Sequence, residues 1–165
     1  MMKKIEHLYR LAMTRGFDYL RSPLLLIGRL YIGWQLFLTG RGKLGNLEQF
    51  TGYLTSLHVP MPELNARFVA SLECFGGLLL LAGLAARLIA IPLVINFIVA
   101  YAAGDHEAFV NAFNNPDAFI AATPFLYLVV SLVILGFGPG FFSLDTLIAR
   151  VKTGKSEPEL VPATT

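Results

Sequence analysis

Charge is what this sequence has least of. Asp, Glu, Lys and Arg make up 15% of its 165 residues, against roughly 25% in ordinary soluble domains. The shortfall is uneven, because the charges sit in clusters separated by long apolar runs. That pattern argues against a soluble domain and for a chain built to live in a bilayer. Cysteine is nearly absent too. Cys74 stands alone inside an apolar run, so no disulfide can close within the chain and no CxxC pair can relay thiols. Read alone, Cys74 is a small buried apolar residue. The three histidines, His7, His58 and His106, all lie outside the apolar runs, which argues against a haem held between buried imidazoles. No phosphate-binding glycine loop, HExxH or nucleophile elbow occurs.

What is present is hydrophobic sequence, 55% of the residues, with a mean hydropathy of +0.62. The expectation is an all-α integral membrane protein, a four-transmembrane-helix bundle with spans at about 23–40, 65–85, 88–104 and 118–137. Residues 1–22 read as a cytoplasmic amphipathic leader. Ile5, Leu8, Tyr9, Ala12 and Met13 recur there at helical spacing. Arg10, Arg15 and Asp18 interrupt the apolar character, and no small-x-small cleavage site follows, so this is not a cleaved signal peptide. Ser22-Pro23 is expected to start the first span, since proline suits a first helical turn.

The first outer loop, 41–63, is not featureless. Leu47, Phe50, Leu54 and Leu57 predict a short amphipathic helix over about 46–58, stopped by Val59-Pro60-Met61-Pro62. A turn at 85–87 is so short that spans two and three must form an antiparallel hairpin. Residues 105–117 form an acidic polar loop. After span four, Gly138-Pro139-Gly140 breaks the chain, and Ser143 or Asp145 could cap a last interfacial helix. Residues 147–165 read as a cytoplasmic tail, disordered at its end.

Four spans put the N-terminus, the 85–87 turn and the C-terminus on one side. That side carries nine cations: Lys3, Lys4, Arg10, Arg15, Arg21, Arg87, Arg150, Lys152 and Lys155. The other carries Arg41 and Lys43, with Arg67 at the edge of span two. The positive-inside rule therefore places both termini in the cytoplasm. The basic N-terminal cluster directly precedes a hydrophobic span, so it reads as juxtamembrane and not as a nucleic-acid site.

Two formal charges fall inside the spans. An ionisable side chain near the bilayer centre costs roughly 2.5–3.5 kcal/mol on insertion scales, so it needs a partner or a function. Counting the helical rise places Arg29 ~9 Å deep and Glu73 ~17 Å deep from the cytoplasmic side, with Asn96 at ~12 Å and Tyr127 at ~15 Å. All four spans then offer a polar group to one layer. Arg29, Gly33 and Gly40 share a stripe of span one, and Glu73, Gly76 and Gly77 share a stripe of span two. Glycines at such positions let helix backbones approach closely, so both charges point toward packed interfaces. Three readings stay open: a buried Arg29–Glu73 ion pair that sets register, a pocket for a polar headgroup such as a quinone carbonyl, and a proton or ion path. His58 and His106 both fall on the outer side, with Asp105 and Glu107 beside the second, and are weak candidates for a metal site if the loops meet.

Several segments together resemble the DoxX family of small bacterial membrane proteins. They are GRLYIGWQLFLTGRGKL in and after span one, YLTSLHVPMPELNA before span two, ECFGGLLLLAGLAARLIAIPL across the hairpin and GFGPGFFSLD after span four. The specific part is E-x-x-G-G-x-L-L-L-x-G-L-x-x-R, preceded by Arg29 and followed by G-P-G-x-x-S-L-D. On the matching positions Arg29, Lys43, Glu73, Arg87 and Asp145 are the family-like polar residues. The resemblance implies a four-helix bundle in the bacterial inner membrane and a role beside oxidoreductases. Some relatives are similar to the membrane subunit of thiosulfate:quinone oxidoreductase, and others are linked to periplasmic maturation, copper handling or detoxification.

Two functional classes follow. One is a redox membrane subunit that binds quinone near Arg29, Glu73 and Asn96 and takes electrons from a partner on the outer face. The other is a non-enzymatic scaffold or anchor that holds soluble partners through the outer loops or the tails. Four short spans also invite protein partners or homo-oligomers within the bilayer.

Overall fold

The computed structural model describes residues 2–140 and 142–153, with side chains described over 23–140, 142–149 and at Val151. Every regular element in it is helical: α1 Met2–Gly45, α2 Leu47–Ser56, α3 Pro62–Ala82, α4 Ala86–Gly104, α5 His106–Val110, α6 Pro116–Ala121, α7 Pro124–Phe137 and α8 Leu144–Thr153.

The first departure from expectation is α1. The leader and first span are a single helix of 44 residues that carries Pro23 inside it and ends at Gly45, not Gly40. Proline removes one backbone N–H and crowds the preceding turn, but it tolerates helical φ, so Ser22-Pro23 did not oblige a new start. The apolar stripe assigned to Ile5, Leu8, Tyr9, Ala12 and Met13 lies outside the described side chains. So does the end of the tail, beyond residue 153.

α1 and α3 form the principal contact of the bundle, and α4 packs on α7 and α3. The α1–α3 contact is backbone against backbone. A Cβ on Gly40 would collide with the main chain of Glu73 and Cys74, and one on Gly77 would stand 2.6 Å from the Phe37 nitrogen and 2.7 Å from the Gly33 oxygen. Gly33, Gly40 and Gly77 thus serve as the close-packing positions that the stripes suggested. Gly76 faces the other way, toward Ile89 and Leu93 of α4. The core around this crossing is Ile32, Leu36, Leu80, Ala86, Ala90, Leu93, Phe97 and Ile134.

The hairpin turn lies at Gly83–Ala85, slightly before its expected position. Gly83 is left-handed (φ 67°), and the Leu84 N–H donates to the Leu79 carbonyl across it, a helix stop suited to glycine. The outer loop contains α2 where a short helix was expected. Leu47, Phe50, Leu54 and Leu57 are half-buried, while Glu48, Gln49, Tyr53 and Ser56 are exposed. The acidic loop is less open than expected, because α5 occupies part of it. The expected fourth span is interrupted: α6 stops at Ala121, Ala122 is extended (ψ 139°), and α7 restarts with Pro124 at its first turn. The break falls at Ala122, two residues before the proline, while Thr123 is already helical (φ −53°, ψ −41°) and Pro124, which supplies no N–H, suits the first turn of the new helix. Tyr101 of α4, fully buried, holds the displaced piece by donating to the Phe119 carbonyl at 2.7 Å and stacking on its ring at 4.8 Å.

α3 and α4 are long and apolar enough to cross a membrane. α7 is apolar but has 14 residues, ~21 Å of helix. Large apolar side chains are exposed on the outside of the bundle, including Ile27, Tyr31, Trp34 and Leu38 on α1, Phe68 and Phe75 on α3, and Leu88, Ile91 and Ile95 on α4. In water such continuous surface would drive aggregation; in a bilayer it is the correct solvent-facing side.

Candidate functional site

The polar groups gather at two levels, one at each end of the α1–α3 contact, and the expected layer does not close. Arg29 and Glu73 do not pair. The Arg29 guanidinium donates to two main-chain oxygens beyond α7, Pro139 at 2.9 Å and Phe142 at 2.7 Å. Each Glu73 oxygen accepts from the Lys43 ammonium, at 2.7 Å. The reason lies in where α1 ends and which way it faces. Residues 29, 33, 36, 40 and 43 form one stripe, since 4, 7, 11 and 14 residues are near whole turns. Once the helix continues to Gly45, Lys43 stands one turn beyond Gly40, next to the main chain of Glu73. Arg29 meets Gly83 instead, so closely that a Cβ there would overlap its guanidinium. Gly83 lies ten residues past Glu73, ~15 Å along α3.

At the Arg29 end the sequence motifs interlock. The side chain is 2% exposed and ties α1 to the Gly138-Pro139-Gly140 breaker. Asp145 receives the Ala85 N–H at 2.8 Å and the Ala86 N–H at 3.1 Å, while its own N–H donates to the Gly83 carbonyl at 3.1 Å. A carboxylate there satisfies first-turn donors of α4 and complements the helix dipole. Asp145 therefore caps α4, and Ser143 caps its own helix, accepting the Thr146 N–H at 3.2 Å. The Arg87 side chain lies against Gly138. Arg29, Gly83, Arg87 and Asp145 thus form one knot, and its hydrogen bonds go mainly to backbone.

At the Lys43 end the partners are side chains. Glu73 is 4% exposed; the Lys43 side chain is about one-third exposed, at 31%. The Asn96 amide lies 3.5 Å from Glu73 Oε1, at the limit of a hydrogen bond. Lys43 Nζ sits 4.8 Å from the centre of the Phe50 ring of α2, within cation–π range. Beside Asn96, Phe97 stacks on Tyr127 of α7 at 5.2 Å. Two of the four residues of the expected layer, Glu73 and Asn96, are thus brought together, with Lys43 replacing Arg29, and Tyr127 stands against Phe97, the neighbour of Asn96 in the chain. One turn along α7, Ser131 is completely buried, and its hydroxyl has no hydrogen-bond partner among the described residues.

His58 and His106 are both exposed. His106 Nδ1 lies 3.1 Å from the Ala102 carbonyl of its own helical connection. Among the described residues no group of three His, Cys, Asp or Glu side chains is placed to hold a metal ion.

The family model described as DoxX matches residues 24–106, just over half of the chain. No curated protein and no solved structure matches it. The matched segment contains the α1–α3–α4 core and the whole Lys43–Glu73–Asn96 cluster, and it stops short of Tyr127 and Asp145.

Proposed function

The chain belongs to the DoxX family of membrane proteins, and from that premise we propose that it is the membrane subunit of a quinone-linked oxidoreductase system in the bacterial inner membrane. In this reading the Lys43–Glu73–Asn96 cluster, with Tyr127 beside it, receives the quinone headgroup. α1, α3, α4 and the α6–α7 pair are the four crossings, and both termini face the cytoplasm, as the nine cations on that side favour.

The observation that carries the reading is a mid-helix carboxylate, nearly excluded from solvent, whose partners are side chains from other helices. A buried ion pair adds little net stability, and the α1–α3 register is already set by glycine backbone contacts. The pair is therefore not needed for packing, and an intramembrane ionisable group is a functional candidate by default. The donor set suits a carbonyl headgroup. A lysine ammonium has three N–H donors and Glu73 takes two, which leaves one for a ligand oxygen. The stacked Phe97 and Tyr127 rings supply a flat apolar wall. A bound quinone supplies reversible two-electron, two-proton chemistry at its carbonyl oxygens. Lys43 orients one such oxygen and offsets its growing negative charge, Glu73 holds the ammonium in place, and Asn96 steadies the carboxylate. Electrons come from a partner on the outer face.

The test is mass spectrometry of quinones extracted from protein purified in mild detergent, comparing wild type with Lys43→Met and Glu73→Gln. Near-stoichiometric quinone in wild type and its loss in both variants is expected. Well-folded wild-type protein that carries none contradicts the reading.

A second reading, a non-enzymatic scaffold for periplasmic partners, is favoured by a different observation. An open hollow lined by Asp105, His106, Glu107, Asn111 and Asn115 lies in a loop with no Lys or Arg between residues 105 and 117. It would suit a basic protein surface, and pull-downs with charge-reversed Asp105 and Glu107 test it.

A further inference from the structure

We infer that α2 is a hinged cover over the Lys43–Glu73 cluster, opening at the outer surface to admit the headgroup. What is admitted rests on the function proposed above; the motion does not.

Three observations converge on α2. The first is position. Phe50 lies under the Lys43 ammonium at 4.8 Å, and Tyr53, one turn on, stacks over Phe50 at 6.5 Å. The Tyr53 hydroxyl reaches the end of α4, 3.1 Å from where a Cβ on Gly104 would stand. α2 also packs on α3. It therefore straps across α1, α3 and α4 above the Glu73 carboxylate.

The second is the weakness of its attachment. α2 has no buried residue, whereas the helices beneath it meet backbone to backbone. A cation–π contact and an aromatic stack are both small interactions. Segments with little buried apolar contact are the ones that open locally while the rest stays folded.

The third is the linkage. α2 joins α1 through Asn46, which leaves helical geometry (φ −131°, ψ 48°) and makes no side-chain cap in α2, its side chain and its N–H both donating back to the end of α1. It joins α3 through residues 57–61, where His58 (φ 57°) and Met61 (φ 46°) are left-handed without being glycine. His58 is the left-handed stop of α2, the Val59 N–H donating to the Leu54 carbonyl across it, and Met61, left-handed at the start of α3, is the position where a non-glycine residue holds strain. A short helix between two irregular links can swing as a unit.

The cover can be tested through Glu73 alone. In full-length protein lacking its native thiol (Cys74→Ser), Tyr53→Cys and Gly104→Cys are bridged with a short bis-maleimide. Modification of Glu73 by a water-soluble carbodiimide and an amine is then followed by peptide mass spectrometry. A second variant, Phe50→Ala with Tyr53→Ala, loosens the cover, and circular dichroism checks its fold. The bridged protein should lose Glu73 modification relative to its unbridged form, and the loosened protein should react several-fold faster than wild type. Equal rates before and after bridging overturn the cover, and this arm decides the matter if the loosened variant fails to fold. Glu73 rates that respond to the bridge in a protein that never retains quinone support the cover and reject the proposed ligand.

Discussion

The two ends of the α1–α3 contact handle buried charge differently. At the Arg29 end, charged side chains bond to backbone. Arg29 takes two carbonyls, and Asp145 takes two amides of a helix N-terminus. Those main-chain groups are fixed by the fold and would be left unsatisfied without their partners, so the charges there are part of the fold itself. At the Lys43 end, one charged side chain bonds to another and to an amide. Removing all of them strands no backbone group. Between the ends lie glycines whose backbones touch and carry no charge. Arg29 and Glu73 both looked from the sequence like intramembrane charges awaiting an explanation; Arg29 is bonded to backbone and Glu73 to side chains.

Breaking the Arg29 end should therefore do most damage. Arg29→Met removes two bonds from a buried cation to part-buried carbonyls, at about 1.5–3 kcal/mol each, and thermal unfolding in detergent should show a loss of about 3–5 kcal/mol. Arg29→Lys should rescue little, because one ammonium does not reproduce the planar fork that reaches two oxygens. Gly40→Ala comes next. Its Cβ meets the backbone of Glu73 and Cys74, which cannot move aside as a side chain can, and overpacking of this kind costs about 1–3 kcal/mol. If Gly40→Ala also weakens ligand retention, the two ends are coupled through the crossing; if stability falls alone, they are independent. Glu73→Gln should cost about 1 kcal/mol or less, because Lys43 is exposed enough to turn its charge toward the surface. Asn96→Ala should be the mildest, below about 0.5 kcal/mol, its bond being at the limit of length. Chemical denaturation of the folded proteins in one detergent ranks all four.

Much of this was legible in the sequence, and the failures have identifiable causes. The α3–α4 hairpin, α2 and the Gly138-Pro139-Gly140 break are encoded locally, by apolar run length and by proline and glycine. The close-packing glycines were legible from their spacing. Two errors lie at prolines. Pro23 looked like a helix start and sits within α1, while the apolar run holding Pro124 looked continuous and breaks at Ala122, with Pro124 in the first turn of α7. The first error carried over into the site. Ending span one at Gly40 left Lys43 in a loop, although the stripe of residues 29, 33 and 40 points to 43 at the next turn. Asp145 lies about sixty residues from the amides it caps, and no local pattern announces that pairing. Ser131 gave no signal either, since a serine in an apolar run is common at helix contacts.

The most direct test of the contrast is a side-by-side thermal unfolding measurement on Arg29→Met and the double variant Lys43→Met/Glu73→Leu, in the same detergent and with no added quinone. If the Lys43 end is spare to the fold, replacing both of its charges together leaves the midpoint near that of wild type, while Arg29→Met falls well below it. A double variant that unfolds as early as Arg29→Met would contradict the account, because the Lys43–Glu73 pair would then be holding the bundle together.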